Sequence, residues 1–364
     1  MQAFPYRPEM TYFQGGGSSV MVAVRRNKKS TGRGRSMQDA KSVLTGGTLP
    51  ELHKLPELRK RKQRHLFKRV LRNWELYLFI APAFFYFLIF VYGPMYGIQI
   101  AFKNFIPVKG IIGSPWVGFD HFVRFFHSYY FWDLLWNTFS ISLYGLAVGF
   151  PIPILLALAF NEVKDGFFKR AVQTVTYAPH FISIVVMAGM IISFLSPSTG
   201  LIPHAIKWLG IDTPDFLTDP RWFKTMYVLS DIWQGAGWGT IIFLAALSGV
   251  DPGLHEAAII DGASRFQRVR HINFPALVPA MTILLILNMG TLLGVGYEKI
   301  LLLQNPLNME SSDVISTYVY RSGLLDAQYS FSTAIGVFNS VVNAILLVLV
   351  NQIVRRTNES SSLW

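Results

Sequence analysis

The chain has 364 residues, of which 51% are hydrophobic and 15% charged, and its mean hydropathy is +0.35. Soluble domains carry about 25% charged residues, so this balance excludes an ordinary soluble enzyme, and the apolar content excludes a wholly disordered chain. The net charge of +12 sits in residues 1–75, which hold 17 Lys/Arg against 5 Asp/Glu; the rest of the chain is neutral, so no nucleic-acid surface is built into a fold.

In chain order, residues 1–70 read as a basic, mostly disordered tail. Gly15, Gly16 and Gly17 precede a stretch rich in Lys, Arg, Ser and Gly with little apolar periodicity. The run Arg59-Lys60-Arg61-Lys62-Gln63-Arg64 lies just before the first long apolar segment and reads first as a topology signal, with contact to anionic lipid as the alternative. The first apolar run begins at residue 76 and is too long for a signal-peptide core, so a cleavable signal is not expected.

A helix needs about 20 mostly apolar residues to cross a bilayer core of about 30 Å. Six segments qualify: 76–102, 134–161, 171–195, 225–250, 271–297 and 327–354. Together they predict an all-α membrane domain over 71–356, with a short C-terminal tail at 357–364. Pro82, Pro151, Pro153 and Pro179 fall within or beside these helices. Gly145 with Gly149, and Gly290 with Gly294, have the spacing of close helix contacts. Gly235, Gly237 and Gly239 crowd the middle of the fourth span and admit a neighbour or a ligand to its backbone. Between the spans, 118–132 is rich in aromatics and reads as an interfacial helix, and 202–210 reads as a second short one. Lys and Arg concentrate on the side holding both termini and the 161–170 and 248–275 loops, which the positive-inside rule makes cytoplasmic.

The 251–275 loop carries the most information. Asp251-Pro252 opens a turn, and Leu254 through Asp261 follow as a short helix. Gly262 and Ala263 break it, and Ser264 or Asp261 is placed to cap a second helix from Arg265 to His271. A short helix with a small-residue notch suits docking in another protein's groove. Glu256-Ala257-Ala258, then Gly262, Ile272 and Phe274-Pro275 at their spacing, resembles the EAA loop of ABC importer permeases, which usually have Leu where this chain has Phe274. A closer resemblance is to the carbohydrate-uptake, maltose-permease-like type, in the branch importing alginate- or pectin-type oligosaccharides. It rests on Asn73-Trp74-Glu75-Leu76-Tyr77-Leu78, Pro94-Met95-Tyr96-Gly97, Ala178-Pro179-His180-Phe181-Ile182-Ser183, Tyr297-Glu298-Lys299-Ile300 and the run from Ser312 to Arg321, and covers about residues 70–356.

The resemblance implies the type I ABC importer permease fold, and a chain in the bacterial cytoplasmic membrane that forms half of a translocation path. Its partners would be a second permease, making a heterodimer, two cytoplasmic ATPase subunits, an extracytoplasmic solute-binding protein and an oligosaccharide. Glu256, Ala257, Ala258, Ile259, Asp261, Gly262, Arg265 and Phe266 would form the ATPase contact. The chain has no G-x4-G-K-[ST] phosphate loop, so a separate subunit would hydrolyse ATP, and neither a cofactor nor a metal is expected here.

Polar groups inside spans face a cavity or another helix. Asp231, Gln234 and Trp238 share one face of the fourth span, Asn288 and Thr291 one face of the fifth, and Asn339 and Asn343 one face of the sixth. These are the candidates for a substrate path; hydrogen bonding between helices is the alternative for each amide, and an external-loop partner such as Arg321 is the alternative for Asp231. Two rival readings stay open at this point: a self-contained secondary transporter, and a permease of the same fold for a non-sugar solute. The first needs ion sites within the membrane, where only Asp231 is charged.

Overall fold

The computed structural model describes residues 11–13, 20–22 and 73–357. The chain divides into two units, Met1–Phe84 and Phe85–Trp364. In the first, Thr11–Phe13 pairs antiparallel with Val20–Val22, Tyr12 standing opposite Met21. Apart from Met21, these triplets are β-branched or aromatic, the types that favour strands. The remainder of the tail, with its basic run, lies outside the described residues.

Beyond the ribbon, the described chain is helical. Four helical runs are long and apolar enough to cross a membrane: Trp74–Phe102, Phe131–Glu162, Arg265–Gly290 and Tyr329–Arg356. Two bent pairs bring the number to six: Phe167–Phe181 with Ile184–Leu195, turning through 103°, and Pro220–Ser248 with Pro252–Ile260, turning through 73°. The six-span architecture therefore stands, with one main correction. The third span is not a continuous helix. Pro179 carries no backbone N–H to continue the ladder, Ile182 and Ser183 are extended, and the Ser183 hydroxyl accepts from Val186 N to start a new helix. Ile184–Leu195 has 12 residues and reaches about 18 Å, well short of the bilayer core.

Other boundaries moved by a few residues. The fifth span ends at Gly290, so Thr291 lies just past the helix rather than on its face. The chain then runs without helix to a separate short helix, Tyr297–Leu303. The two interfacial helices form at Asp120–Phe126 and Leu201–Trp208.

The fourth span, Pro220–Ser248, is the hub of the second unit and packs against Pro151–Glu162, Phe131–Gly149, Phe274–Gly290 and Phe167–Tyr177. At its Pro220 end, Phe223, Met226, Tyr227 and Val228 join Met187 and Ile300 in one buried cluster. At its Ser248 end, Phe243 and Leu247 join Ile154, Leu158 and Leu277. A third cluster, around Phe125, Phe131 and Ile335, fastens Asp120–Phe126 to the sixth span; the Phe125 and Phe131 rings meet edge to face at 5.1 Å. Lipid tails are as apolar as these side chains, so the gain comes from close packing rather than from escape from water.

Close packing explains the fourth span's glycines. A Cβ at Gly237 would overlap the Thr176 carbonyl, so only glycine lets the Phe167–Tyr177 helix lie against this one. Gly239 faces the Pro153 ring, where a Cβ would be tight at 3.1 Å without overlapping, while Gly235 opens on empty space.

Candidate functional site

A cavity of about 780 Å³ lies beside the middle of the fourth span, between it, the Phe131–Glu162 run, the end of the fifth span and the Tyr297–Leu303 helix. Asp231, Gln234, Asn288 and Thr291 all line it, so four of the seven residues proposed for a substrate path come together there. Glu298 and Lys299, which the polar-span argument missed, line it as well. Their signal was present: a charged pair set in the otherwise apolar run from Tyr297 to Leu303.

Asp231 has a partner in the segment after the fifth span, and that partner is Lys299 rather than Arg321. Lys299 Nζ lies 3.5 Å from Asp231 Oδ1 and 4.9 Å from the Tyr227 ring centre. The two ends of the pair differ in surroundings. The Lys299 side chain is 6% exposed and that of Asp231 is 66% exposed. Lys299 Nζ is buried, and its contact with Asp231 is long for a hydrogen bond. Arg321 belongs to another pair: its Nη2 donates to Asp313 Oδ2 at 2.7 Å, while Asp313 Oδ1 accepts from Thr317 Oγ1 at 2.9 Å. That pair is short and hydrogen-bonded at both carboxylate oxygens, and it holds the 313–321 segment to itself.

The other candidate residues do not gather at the cavity. Trp238 stacks on His180, ring centres 4.5 Å apart and nearly parallel at 4°. Gln234 touches the cavity but also donates through Nε2 to the Ile182 carbonyl at 2.8 Å, an acceptor that the break in the third span leaves free. Thr240 Oγ1 reaches Tyr177 Oη at 3.3 Å. The fourth span thus grips the bend of the third through Gln234, Gly237, Trp238 and Thr240. Asn339 and Asn343 bracket one peptide unit: Asn343 Oδ1 accepts from Leu293 N at 3.0 Å, and Asn339 Nδ2 donates to Leu293 O at 3.3 Å. They fix the non-helical stretch that follows the fifth span and forms part of the cavity wall.

At the Ser248 end, the loop forms as its residues dictate. Asp251 Oδ1 accepts from Gly253 N at 2.9 Å and Pro252 sits in the first turn, which starts the helix Pro252–Ile260. Gly262 ends the helix at φ +78°, in the left-handed region that favours glycine, while Ala263 N returns to Ala258 O at 2.8 Å. Of the two caps considered, Ser264 is the one used: it accepts from Gln267 N, and the Gln267 side chain accepts from Ser264 N at 2.7 Å. The second helix widens at Val269–Asn273 and runs straight into the fifth span. Glu256, Ala257, Ile259, Asp261, Gly262, Arg265 and Phe266 are exposed, and Ala258 is half-buried. Phe266 is 72% exposed and Ile260 85%, an apolar surface set beside a carboxylate at the tip of a loop.

A broken span beside a cavity with polar groups among apolar walls, and a capped helix turned off the end of the hub span, are the build of a membrane permease. The family model for the binding-protein-dependent transport system inner membrane component matches residues 149–359, and the chain belongs to that family. It is 44% identical over 301 residues to the polygalacturonan/rhamnogalacturonan transport system permease protein YteP of Bacillus subtilis, covering 83% of this chain and 94% of that one. It is 42% identical to Protein LplB of the same organism over 86% of this chain and 98% of that one. Among solved structures, it resembles a chain of a bacterial ABC transporter involved in the import of the acidic polysaccharide alginate. There the TM-score is 0.75 and the identity 45%, over 81% of this chain and 99% of that one.

Proposed function

We propose that this permease forms half of the translocation path of an ATP-driven importer for acidic oligosaccharides. A second, similar permease forms the other half, an extracytoplasmic protein delivers the sugar, and two ATPase subunits dock on the cytoplasmic face. The observation that carries the reading is the match, over nearly the whole of the other chain, to a permease of an alginate importer. The cavity agrees with it: amide, hydroxyl and carboxylate groups suit sugar hydroxyls, and about 780 Å³ falls within the roughly 300–1,000 Å³ of small-ligand sites.

The 251–275 loop is the ATPase contact in this reading. Glu256 offers a carboxylate to a basic residue of the ATPase, Ala257 and Gly262 allow close approach, Ile259 and Phe266 fill apolar hollows, and Arg265 meets the ATPase surface or lipid head groups. Asp261 closes the short helix beside the Gly262 notch. The loop and both termini are cytoplasmic, as the charge distribution indicates. The fourth span then acts as the lever, since one helix of 29 residues joins the loop to the cavity.

The test is a mild-detergent pull-down of the tagged chain. An ATPase and a second permease co-purify with the wild type. Glu256→Lys and Gly262→Asp lose the ATPase and sugar uptake while still inserting in the membrane. Recovery of the chain alone, with sugar uptake into vesicles lacking ATP, would overturn the reading in favour of a self-contained transporter.

A further inference from the structure

Lys299 stands out among the described charged groups. An ammonium carries three N–H donors and no acceptor. When it is buried, those donors need anionic or carbonyl oxygens, because the charge has left water. Lys299 Nζ is buried without a short hydrogen bond to fill its donors. Its nearest anion is Asp231 Oδ1 at 3.5 Å, and its other neighbour is the face of Tyr227. The contrast with Arg321 and Asp313 is direct: there each carboxylate oxygen takes a short hydrogen bond, at 2.7 and 2.9 Å.

The pair is also lopsided. Asp231, 66% exposed in the single chain, leans less on this contact than the buried lysine does. Lys299, 6% exposed, depends on an anion being near. A second carboxylate entering the cavity could therefore replace Asp231, whereas a neutral sugar hydroxyl could not compensate the buried charge. Both residues line the cavity, together with Asn288, Thr291 and Glu298.

We propose that Lys299 is the specificity-determining residue for the cargo's carboxylate, with Asp231 as its resting counter-ion, released when an acidic oligosaccharide enters. The proposal rests on the reading above that the cargo is acidic, and it adds a selection by charge within the membrane subunit, after delivery. Lys299 acts as a point charge, so an arginine should serve in its place.

The experiment uses the complete complex in proteoliposomes, with its binding protein and ATPase. Uptake of short oligogalacturonate and oligoalginate, and of their carboxyl-reduced neutral counterparts, is measured for four proteins. Lys299→Met lowers acidic uptake roughly tenfold to a hundredfold, the range for losing a hydrogen bond to a charged group, and leaves complex assembly intact. Lys299→Arg restores most of it. Asp231→Asn moves the other way: with the competing anion gone, KM for the acidic sugar falls. Opposite signs for the two substitutions are the signature of exchange. Equal losses in Lys299→Met and Asp231→Asn would show a plain strut between the fourth span and the Tyr297–Leu303 helix and overturn the proposal. Unchanged acidic uptake in Lys299→Met would overturn it while leaving the acidic-cargo reading standing. Wild-type uptake of neutral sugars only would overturn both.

Discussion

From Asp251 to Gln267 the stabilising contacts lie a few residues apart: Asp251 with Gly253, Ala258 with Ala263, Ser264 with Gln267; only at the far end of the loop does buried Asn273 reach a distant residue, Glu162. Around the cavity they join distant segments. Gln234 reaches back to Ile182, Asn343 to Leu293, and Asp231 pairs with Lys299. The short helix and its caps keep their shape by local bonds and present Glu256, Ile259 and Phe266 outward; the cavity exists only while the helices around it hold one another. A partner that moves the loop can therefore move it as one piece. The wall of the cavity, by contrast, is free to change by exchanging a few polar contacts. The fourth span connects the two regions.

Substitutions separate the two regions in order of expected effect. Gly237→Val is the most damaging, because its branched side chain must displace the Thr176 backbone. The prediction is loss of a cooperatively unfolding chain in detergent, read by thermal melting and size-exclusion profile. A folded, transporting Gly237→Val protein would mean that the close approach of the third and fourth spans is dispensable. Gln234→Leu comes next. It leaves the Ile182 carbonyl without its donor, at a cost of about 1–3 kcal/mol, seen as a lowered melting temperature with ATPase binding unaltered. Loss of ATPase binding in this variant would show that the loop depends on the bend of the third span.

The smallest effect concerns the Pro220 end of the hub. The Arg221 side chain and backbone N–H, both donating to Asp219, hold its carboxyl below the ordinary carboxylate range. A carboxylate with a lowered folded pKa stabilises above its unfolded value of about 3.9, and this contribution disappears as pH falls through the folded value. Asp219→Asn should therefore melt slightly earlier than wild type at pH 5–7. The two curves should converge only below about pH 4. A difference that persists at lower pH would assign the effect to the amide's cap geometry rather than to charge.

Much of this was legible in the residues, and the rest was not, for identifiable reasons. The six apolar runs, the loop helix with its caps and the Gly262 break all depend on neighbours within a few positions, so composition and spacing were sufficient. Pro179 was visible, yet a proline alone does not say whether a membrane helix kinks or turns through 103°; Gln234 and Gly237 of another span decide that by accepting the bend. Asp231 could be picked out as a charge in a span, but its partner could not. Arg321 and Lys299 both lie in the segment after the fifth span, and the choice fell to Lys299 because Asp313, eight residues before Arg321, already holds that guanidinium. Asn339 and Asn343 shared a helix face as expected, while the peptide they clasp is set by how the fifth span ends.

The sequence by itself determined that this chain crosses a membrane, where its apolar runs lie and which loop folds into a capped helix, because apolar length, caps and glycine conformation are local properties. Only the tertiary structure decided which polar groups meet in the cavity and which of its charges is buried. Those facts depend on side chains from distant segments arriving in one place, and burial in a low-dielectric setting then makes each pairing matter.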